Sequence, residues 1–336
     1  MKTPLRPGKL PPELLREILA KQGNLPSEVR LGPALGEDAC AIDVPEGTLI
    51  AAADPITLTG SDVGAHAVMI NANDVAVMGV RPRWFLAVVL LPTGSCETDV
   101  RALFDSMRSA LEDLGATLVG GHTEVSDAVN QPIVIGQMMG FSPDHQFLRT
   151  GGVRAGDLIV QAGLAPVEAA AVLTAEMHPR LEAVDPDLLT LARQAVARPG
   201  ISVVDAALLA TKAGATALHD PTEGGLSAGL HELADASGIQ IRVDEEAVLW
   251  FEPGRAACDA FGADPWGALA SGALLAAFPP DRAAGACQLL EDRGIPARSI
   301  GKAVSGSGVL RSDRSPLPTF PHDEVARVLG ERSRAD

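Results

Sequence analysis

The sequence has no run of roughly 18 or more uncharged apolar residues, which argues against a membrane-spanning helix. Its opening stretch, MKTPLRPGKLPPELLREILAKQG, has neither the apolar core nor the small-residue cleavage site of a secretory leader. It reads instead as a short arm and an amphipathic helix, with Leu14, Leu15, Ile18 and Leu19 on one stripe. Positive charge is scarce: 43 acidic side chains against 27 basic ones give a net charge of −16, the opposite of what a nucleic-acid binder carries. There are four cysteines, Cys40, Cys96, Cys258 and Cys287, and no two have the spacing of a metal-binding pair. We expect reduced thiols in a cytoplasmic protein. Histidine is sparse and HExxH is missing, which excludes the usual zinc sites. There is also no GxxxxGK[ST], no GxGxxG between a strand and a helix, and no GxSxG. The P-loop, dinucleotide and triad-hydrolase classes are therefore unsupported. Ser202, at the head of an ordinary helix, reads as an N-cap and not a nucleophile.

What is present is 336 residues, 46% of them hydrophobic, enough for two domains with real cores. Residues 62–79 have helix length with almost no breaker, 83–92 (RWFLAVVLLP) read as an apolar strand, and 97–115 form an amphipathic helix stopped by Gly115. ATLVGGHTE reads as a strand running into a glycine turn, and 131–141 as another strand. Glycine and charge cluster at 149–157, marking a boundary before a strand that begins at Leu158. The second half predicts helices near 166–176, 186–197, 203–213 and 223–237, with strands at 215–218 and in IQIRVDE, GALLAAF and SIGKAV. Mixed strands and helices in both halves predict an α/β domain followed by an α+β domain, with no repeat of 20–50 residues.

Within INANDVAVMG, residues 70–79, a carboxylate sits in an otherwise apolar helix. His66 and Asn73 nearly superimpose, Asn71 and Asp74 lie on the adjacent flank, and the remaining faces are apolar, as in a buried helix. A buried carboxylate is costly unless it is paired, hydrogen-bonded or bound to metal. Asp74 is not isolated: Asp38 lies in LGEDACAID, Asp54 ends the strand in AAADP, His122 and Glu124 follow the glycines of GGHTEV, and Asp220, Thr222 and Glu223 precede two glycines in LHDPTEGGL. Acids at several strand tips, with glycines at helix starts, suit a Mg²⁺–phosphate site. Each motif also has a plain reading as turn chemistry.

LGEDACAI, INANDVAVMGVRP, LVGGHTEV and HDPTEGGL, in this order, resemble the aminoimidazole-ribonucleotide (AIR) synthetase, or PurM-like, superfamily. That superfamily includes the hydrogenase-maturation carbamoyl dehydratase, selenophosphate synthetase and thiamine-monophosphate kinase. The resemblance spans roughly residues 8–310 and is most specific in the NDVAVMG-RP block. It implies an N-terminal arm and helix (1–30), an ATP-binding and dimerisation domain (31–148), a C-terminal PurM-like domain (149–310) and a tail with a short helix (311–336). The two chains of a homodimer would meet through N-domain strands. It implies ATP and Mg²⁺ as cofactors, with Asp38, Asp54 and Asp74 holding the metal. Asn73, Gly120, Gly121, Thr222, Glu223, Gly224 and Gly225 would contact the nucleotide, and His122, Glu124 and Asp220 would serve the chemistry. The chain ends GERSRAD with no Cys after Cys287, and His122-Thr123-Glu124 stands where the dehydratase has Asp-Thr-Lys. The nearest match is therefore the AIR-synthase-related, dehydratase-like subgroup. The implied reaction is phosphoryl transfer from ATP to an amide, carbonyl or similar oxygen of a small metabolite. A simple small-molecule kinase and a non-catalytic nucleotide-binding scaffold in metallocentre maturation are the alternatives. Neither a nucleic acid nor a membrane is an expected partner.

Overall fold

The computed structural model describes residues 13, 16, 27–32, 34, 36–37, 39–57, 62–175 and 177–332. Asp38 and the apolar stripe Leu14, Leu15, Ile18 and Leu19 lie outside them. The chain divides into two compact units, one holding 39–147 with the short 27–32 segment, the other holding everything described from Leu148 onward.

In the N-terminal unit the strands are β1 (Val29–Leu31), β2 (Cys40–Val44), β3 (Gly47–Ile56), β4 (Pro82–Pro92), β5 (Thr117–Ser126) and β6 (Ile133–Ser142). They form one sheet in the order β1-β2-β3-β6-β4-β5. Neighbours are antiparallel except β4 and β5, which run parallel. The crossover between those two is α2 (Glu97–Leu114), whose Leu103, Met107 and Leu111 fall at four-residue intervals and are its buried face. Gly115 takes a left-handed conformation and ends it, as its sequence predicts. Helix α1 (Val63–Val77) is buried almost all round because it is packed against β3 and β6 on one side and α2 on another. That is why it shows no amphipathic stripe.

The C-terminal unit contains β7 (Leu158–Ala162), α3 (Val167–Thr174), α4 (Pro186–Arg193), α5 (Val204–Ala213), β8 (Ala217–His219), α6 (Gly225–Ser237), β9 (Gln240–Val243), α7 (Glu252–Phe261), β10 (Leu274–Phe278), α8 (Pro280–Glu291), β11 (Ala297–Val304), β12 (Gly308–Leu310) and α9 (Glu324–Arg332). Its sheet order is β12-β9-β11-β7-β10-β8, antiparallel except for the β12–β9 pair. One face, with Ile159, Ile241, Leu275 and Ile300, packs with Leu226, Leu230 and Leu233 of α6 in a single core. A second core joins α3, α7 and α9 through Leu173, Phe261 and Val328.

Most strands and helices expected from the sequence are present at close to the expected bounds. There are three differences. β5 runs unbroken from Thr117 to Ser126, so the glycine turn expected in GGHTE is instead the middle of a strand. The helix expected over 186–197 stops at Arg193, and an irregular turn with Pro199 inside it covers Val196–Gly200. Helices α7 and α8 and the short strand β12 fall in stretches to which the sequence pattern assigned no element. The described cysteines are all free thiols, and burial pushes Cys258 up to about 12.

Candidate functional site

In the N-terminal unit the polar residues of α1 are buried: His66, Asn71, Asn73 and Asp74, the last only 7% exposed. Asn71 shows how the sequence uses that burial. Its side-chain oxygen accepts the Asp54 N–H at 2.8 Å, and its amide nitrogen donates to the Asp54 carbonyl at 3.2 Å and to Ala67 O at 2.9 Å. The side chain therefore brackets the β3 backbone at Asp54 and ties it to α1. The bracket requires a glycine opposite: on β6, Gly136 pairs with Asp54, and a Cβ there would lie 2.4 Å from the Asn71 amide nitrogen. Asp74 follows Asn71 by three residues and so neighbours it on the helix surface. Asp54 and Asp74 are thus carried by two elements in direct contact, one exposed at the strand and one buried in the helix. His66 is held by its own helix, with Nδ1 3.0 Å from Asp62 O.

His122 and Glu124 lie elsewhere. They sit two residues apart on β5, exposed, with His122 Nε2 3.3 Å from Glu124 Oε2. In the sheet order β5 is three strands from β3, about 14 Å at the usual ~4.8 Å strand spacing. One chain does not bring them beside Asp54. Gly120 and Gly121 flank a small cavity of about 210 Å³ lined also by Ala87, Phe104 and Leu118. Gly121 has φ +146°, and a Cβ there would fall 1.9 Å from the Ala87 carbonyl oxygen. This glycine serves close strand approach, which explains the strand where a turn was expected.

In the C-terminal unit, HDPTEGGL connects β8 to α6. His219 Nε2 lies 2.8 Å from Glu232 Oε2 of α6. Asp220 is 3% exposed, and Thr222 and Glu223 are partly exposed. Gly224 and Gly225 both take left-handed conformations, and a Cβ on Gly225 would lie 2.4 Å from Trp266 O. The Gly224 N–H is donated to Asp323 Oδ2 at 2.9 Å, while Asp323 Oδ1 accepts the Val325 N–H at 2.8 Å. Burial pushes the Asp323 carboxyl up to about 7, with the Glu223 charge adding and these two N–H donors opposing. Asp323 and Asn71 are the two organising residues that the sequence pattern did not single out as site residues. An acid just before a helix marks Asp323 as a cap, but its bond to Gly224 spans 99 residues.

Among the described residues no group of three or more His, Cys, Asp or Glu side chains is arranged to hold a metal ion. Asp54 and Asp74 supply hard carboxylate oxygen donors. That donor set suits a cation that keeps waters and takes oxygens from a second ligand, and does not suit a closed protein cage.

Two units of mixed strands and helices, one carrying carboxylates on a strand–helix pair and the other a glycine-opened helix, define the PurM-like class of fold. Matches to two family models follow this division: AIR synthase related protein, N-terminal domain, over residues 36–142, and AIR synthase related protein, C-terminal domain, over 154–312. The chain belongs to the AIR synthase-related family. It is 31% identical to the carbamoyl dehydratase HypE of Azotobacter vinelandii over 73% of this chain and 72% of that one. It is 29% identical to that of Rhizobium leguminosarum bv. viciae, over 74% and 71% respectively. Among solved structures it resembles the hydrogenase maturation protein HypE in complex with ATP (TM-score 0.70, 25% identity, 88% of this chain and 92% of that). The same fold recurs in AaThiL complexed with AMPPCP and TMP (TM-score 0.70, 21% identity, 91% and 93%).

Proposed function

We propose that this chain is an ATP- and Mg²⁺-dependent enzyme that activates an amide, carbonyl or similar oxygen of a small metabolite by phosphoryl transfer. An amide oxygen is a poor leaving group, and a phosphorylated one leaves readily. The observation that carries this reading is the Asn71 bracket, which fixes Asp54 against the helix that bears Asp74. A buried carboxylate on a packed helix holds its position better than one on a loop. Family membership supports the reading, since a relative solved with ATP shares the fold over most of both chains.

Asp54 and Asp74 would hold Mg²⁺, with Asp38, outside the described residues, as the third carboxylate. When bound, the ion neutralises charge on the phosphates and so eases their transfer. In this reading Asn73, Gly120, Gly121, Thr222, Glu223 and Gly225 belong to the nucleotide set. Gly224 acts through the backbone conformation that Asp323 fixes. Asp220 serves the reacting end, and His122 and Glu124, three strands from Asp54 within one chain, would serve it from the second chain of a dimer formed through β5. The ten-residue β5 edge, with Leu118, Val119 and Val125 at 40%, 51% and 60% exposure, supports a homodimer formed through this strand. Free thiols fit a cytoplasmic setting.

The test is Mg²⁺-dependent ATP turnover with amide-bearing acceptors, in wild type and Asp74→Asn. The variant keeps the side chain's shape and removes its charge. We expect turnover to fall by about a hundredfold or more with the protein still folded. Full turnover in a folded Asp74→Asn protein would sink the metal role.

A further inference from the structure

The acidic excess of this chain is locally reversed near the end of its C-terminal sheet. Over residues 297–316 there are four basic side chains, Arg298, Lys302, Arg311 and Arg314, and a single acid, Asp313. The C-terminal sheet gathers three of these with a fourth cation. Lys302 on β11 stands directly opposite Arg242 on β9, and Arg242 in turn pairs with Leu310 on β12. A register shift between Ser299 and Gly301 brings Ser299 to the same face as Lys302. The opposite face carries Ile241, Ala303 and Val309 into the core beneath α6. On the outer face α5 and α8 pack over β10, β7 and β11. Towards β9 and β12 the sheet instead lines a groove of about 680 Å³. Arg242, Lys302, Ser299 and Leu310 line its floor, and the turn bearing Arg311, Ser312 and Arg314 lines its wall.

Two like charges directly opposed across antiparallel strands are unfavourable unless something neutralises them. Among the described residues no carboxylate forms an ion pair with Arg242, Lys302 or Arg314. The nearby acids are already engaged, Glu245 across to the wall of the groove and Asp244 and Asp313 within their own turns. Arg311 pairs with Glu245 at 3.3 Å, and Asp244, which also lines the groove, accepts the Glu246 N–H at 3.3 Å. Asp313 accepts from the Ser315 N–H and hydroxyl at 2.8 and 2.6 Å, which holds its carboxyl below the usual range. Ser312 donates its hydroxyl to Val243 O at 3.2 Å.

We propose that this groove binds a small polyanion bearing at least two phosphate or carboxylate groups, at a site in the unit that does not contain Asp54 and Asp74. Its volume lies in the range of small-ligand pockets. Arg242 and Lys302 offer one anionic group a fork and an ammonium from adjacent strands, and Arg314 offers a second fork from the turn. Compactness favours a small molecule over an extended acidic peptide, which would need a longer track of charge.

The experiment is calorimetric titration of the full chain, without divalent metal, using pyrophosphate and, separately, citrate. Binding should weaken as salt is raised. Arg242→Gln, Lys302→Gln and Arg314→Gln should each raise the Kd by about tenfold or more, and Asp74→Asn should leave it unchanged. The unliganded melting temperature of Arg242→Gln should equal or exceed that of wild type, because a like-charge pair is removed. Tighter binding of pyrophosphate assigns the site to phosphoryl ligands, and tighter binding of citrate assigns it to polycarboxylates. The proposal is overturned by the absence of binding of either anion, by equal affinity in all three folded variants, by loss of binding in Asp74→Asn, or by capture of a polyglutamate peptide alone.

Discussion

The two sheets end differently. The N-terminal sheet finishes on β5, ten residues long and exposed almost throughout, with three large apolar side chains on show. The C-terminal sheet finishes on β8 and β12, three residues each, and β8 is fully buried. Long flat edges invite pairing and short or covered edges prevent it. The same contrast holds for the site residues. In the N-terminal unit the organising bond joins a helix side chain to strand backbone around an acid. In the C-terminal unit it joins a tail acid to the backbone of a glycine turn. One unit is built to present carboxylates and an open strand, the other to close upon itself.

The strongest way to break that contrast is at Gly136. A side chain there collides with the Asn71 amide, 2.4 Å from the Cβ position, and with the Phe85 ring at 2.8 Å. Gly136→Val should lower stability by about 3 kcal/mol or more, since overpacking and a lost buried hydrogen-bond bracket add. Chemical denaturation reads this directly. A milder probe, Asn71→Ala, should cost about 2 kcal/mol and weaken Mg²⁺–ATP affinity along with it. A Gly136→Val protein with wild-type stability would show that β3 and α1 do not depend on the bracket.

The open edge is tested next. Val119→Lys with Val125→Lys places charge on β5, as natural sheets do on edges that stay unpaired. We expect the proposed homodimer to dissociate, with the dimer Kd rising about a hundredfold, equivalent to ~2.7 kcal/mol. Light scattering across a dilution series measures it. The matching change on the other sheet, Leu310→Lys, should leave the oligomeric state as it is. Dissociation by Leu310→Lys and not by the β5 pair would invert the comparison.

How far the sequence shows this depends on the range of the contacts involved. Helix α1 is legible because its residues are apolar at nearly every angle, which only a buried helix tolerates. The α2 stripe and its Gly115 stop are local and equally clear. The β5 misreading has a physical cause. Gly-Gly is ordinarily a turn signal, and only the approach of the Ala87 carbonyl from β4 reveals that Gly121 is a close-packing glycine inside a strand. Asn71 is visible as a polar residue in an apolar helix, but its clamp on Asp54 depends on how β3 and β6 lie across α1, a register no local pattern encodes. His122 and Glu124 adjoin the glycines in sequence, yet the sheet order separates them from Asp54. Asp323 is the extreme case: its position before a helix is readable, and its hold on Gly224 is not.

Asp323 supplies the smallest expected effect and the sharpest test of the closed unit. Its carboxyl, normally near 3.8, is pushed up to about 7 by burial. Between those two values the folded chain keeps a proton that the unfolded chain has released. The difference in bound protons, unfolded minus folded, is therefore negative, and the contribution of this group to stability falls as pH rises across the window, then levels off above 7. A shift of about 3 units sets a ceiling of ~4 kcal/mol, and relaxation of the turn on ionisation should leave about 1–2 kcal/mol. Asp323→Asn cannot titrate. It loses one of the two N–H acceptors, which adds an offset constant in pH. Urea unfolding of both proteins from pH 4.5 to 8 should therefore give curves that converge as pH rises, with wild type losing its lead through the window. Parallel curves would mean that Asp323 is ionised throughout and that the Gly224 turn is wetter than its burial indicates. In that case the closed C-terminal unit opens to solvent where Asp323 fastens its tail to the Gly224 turn.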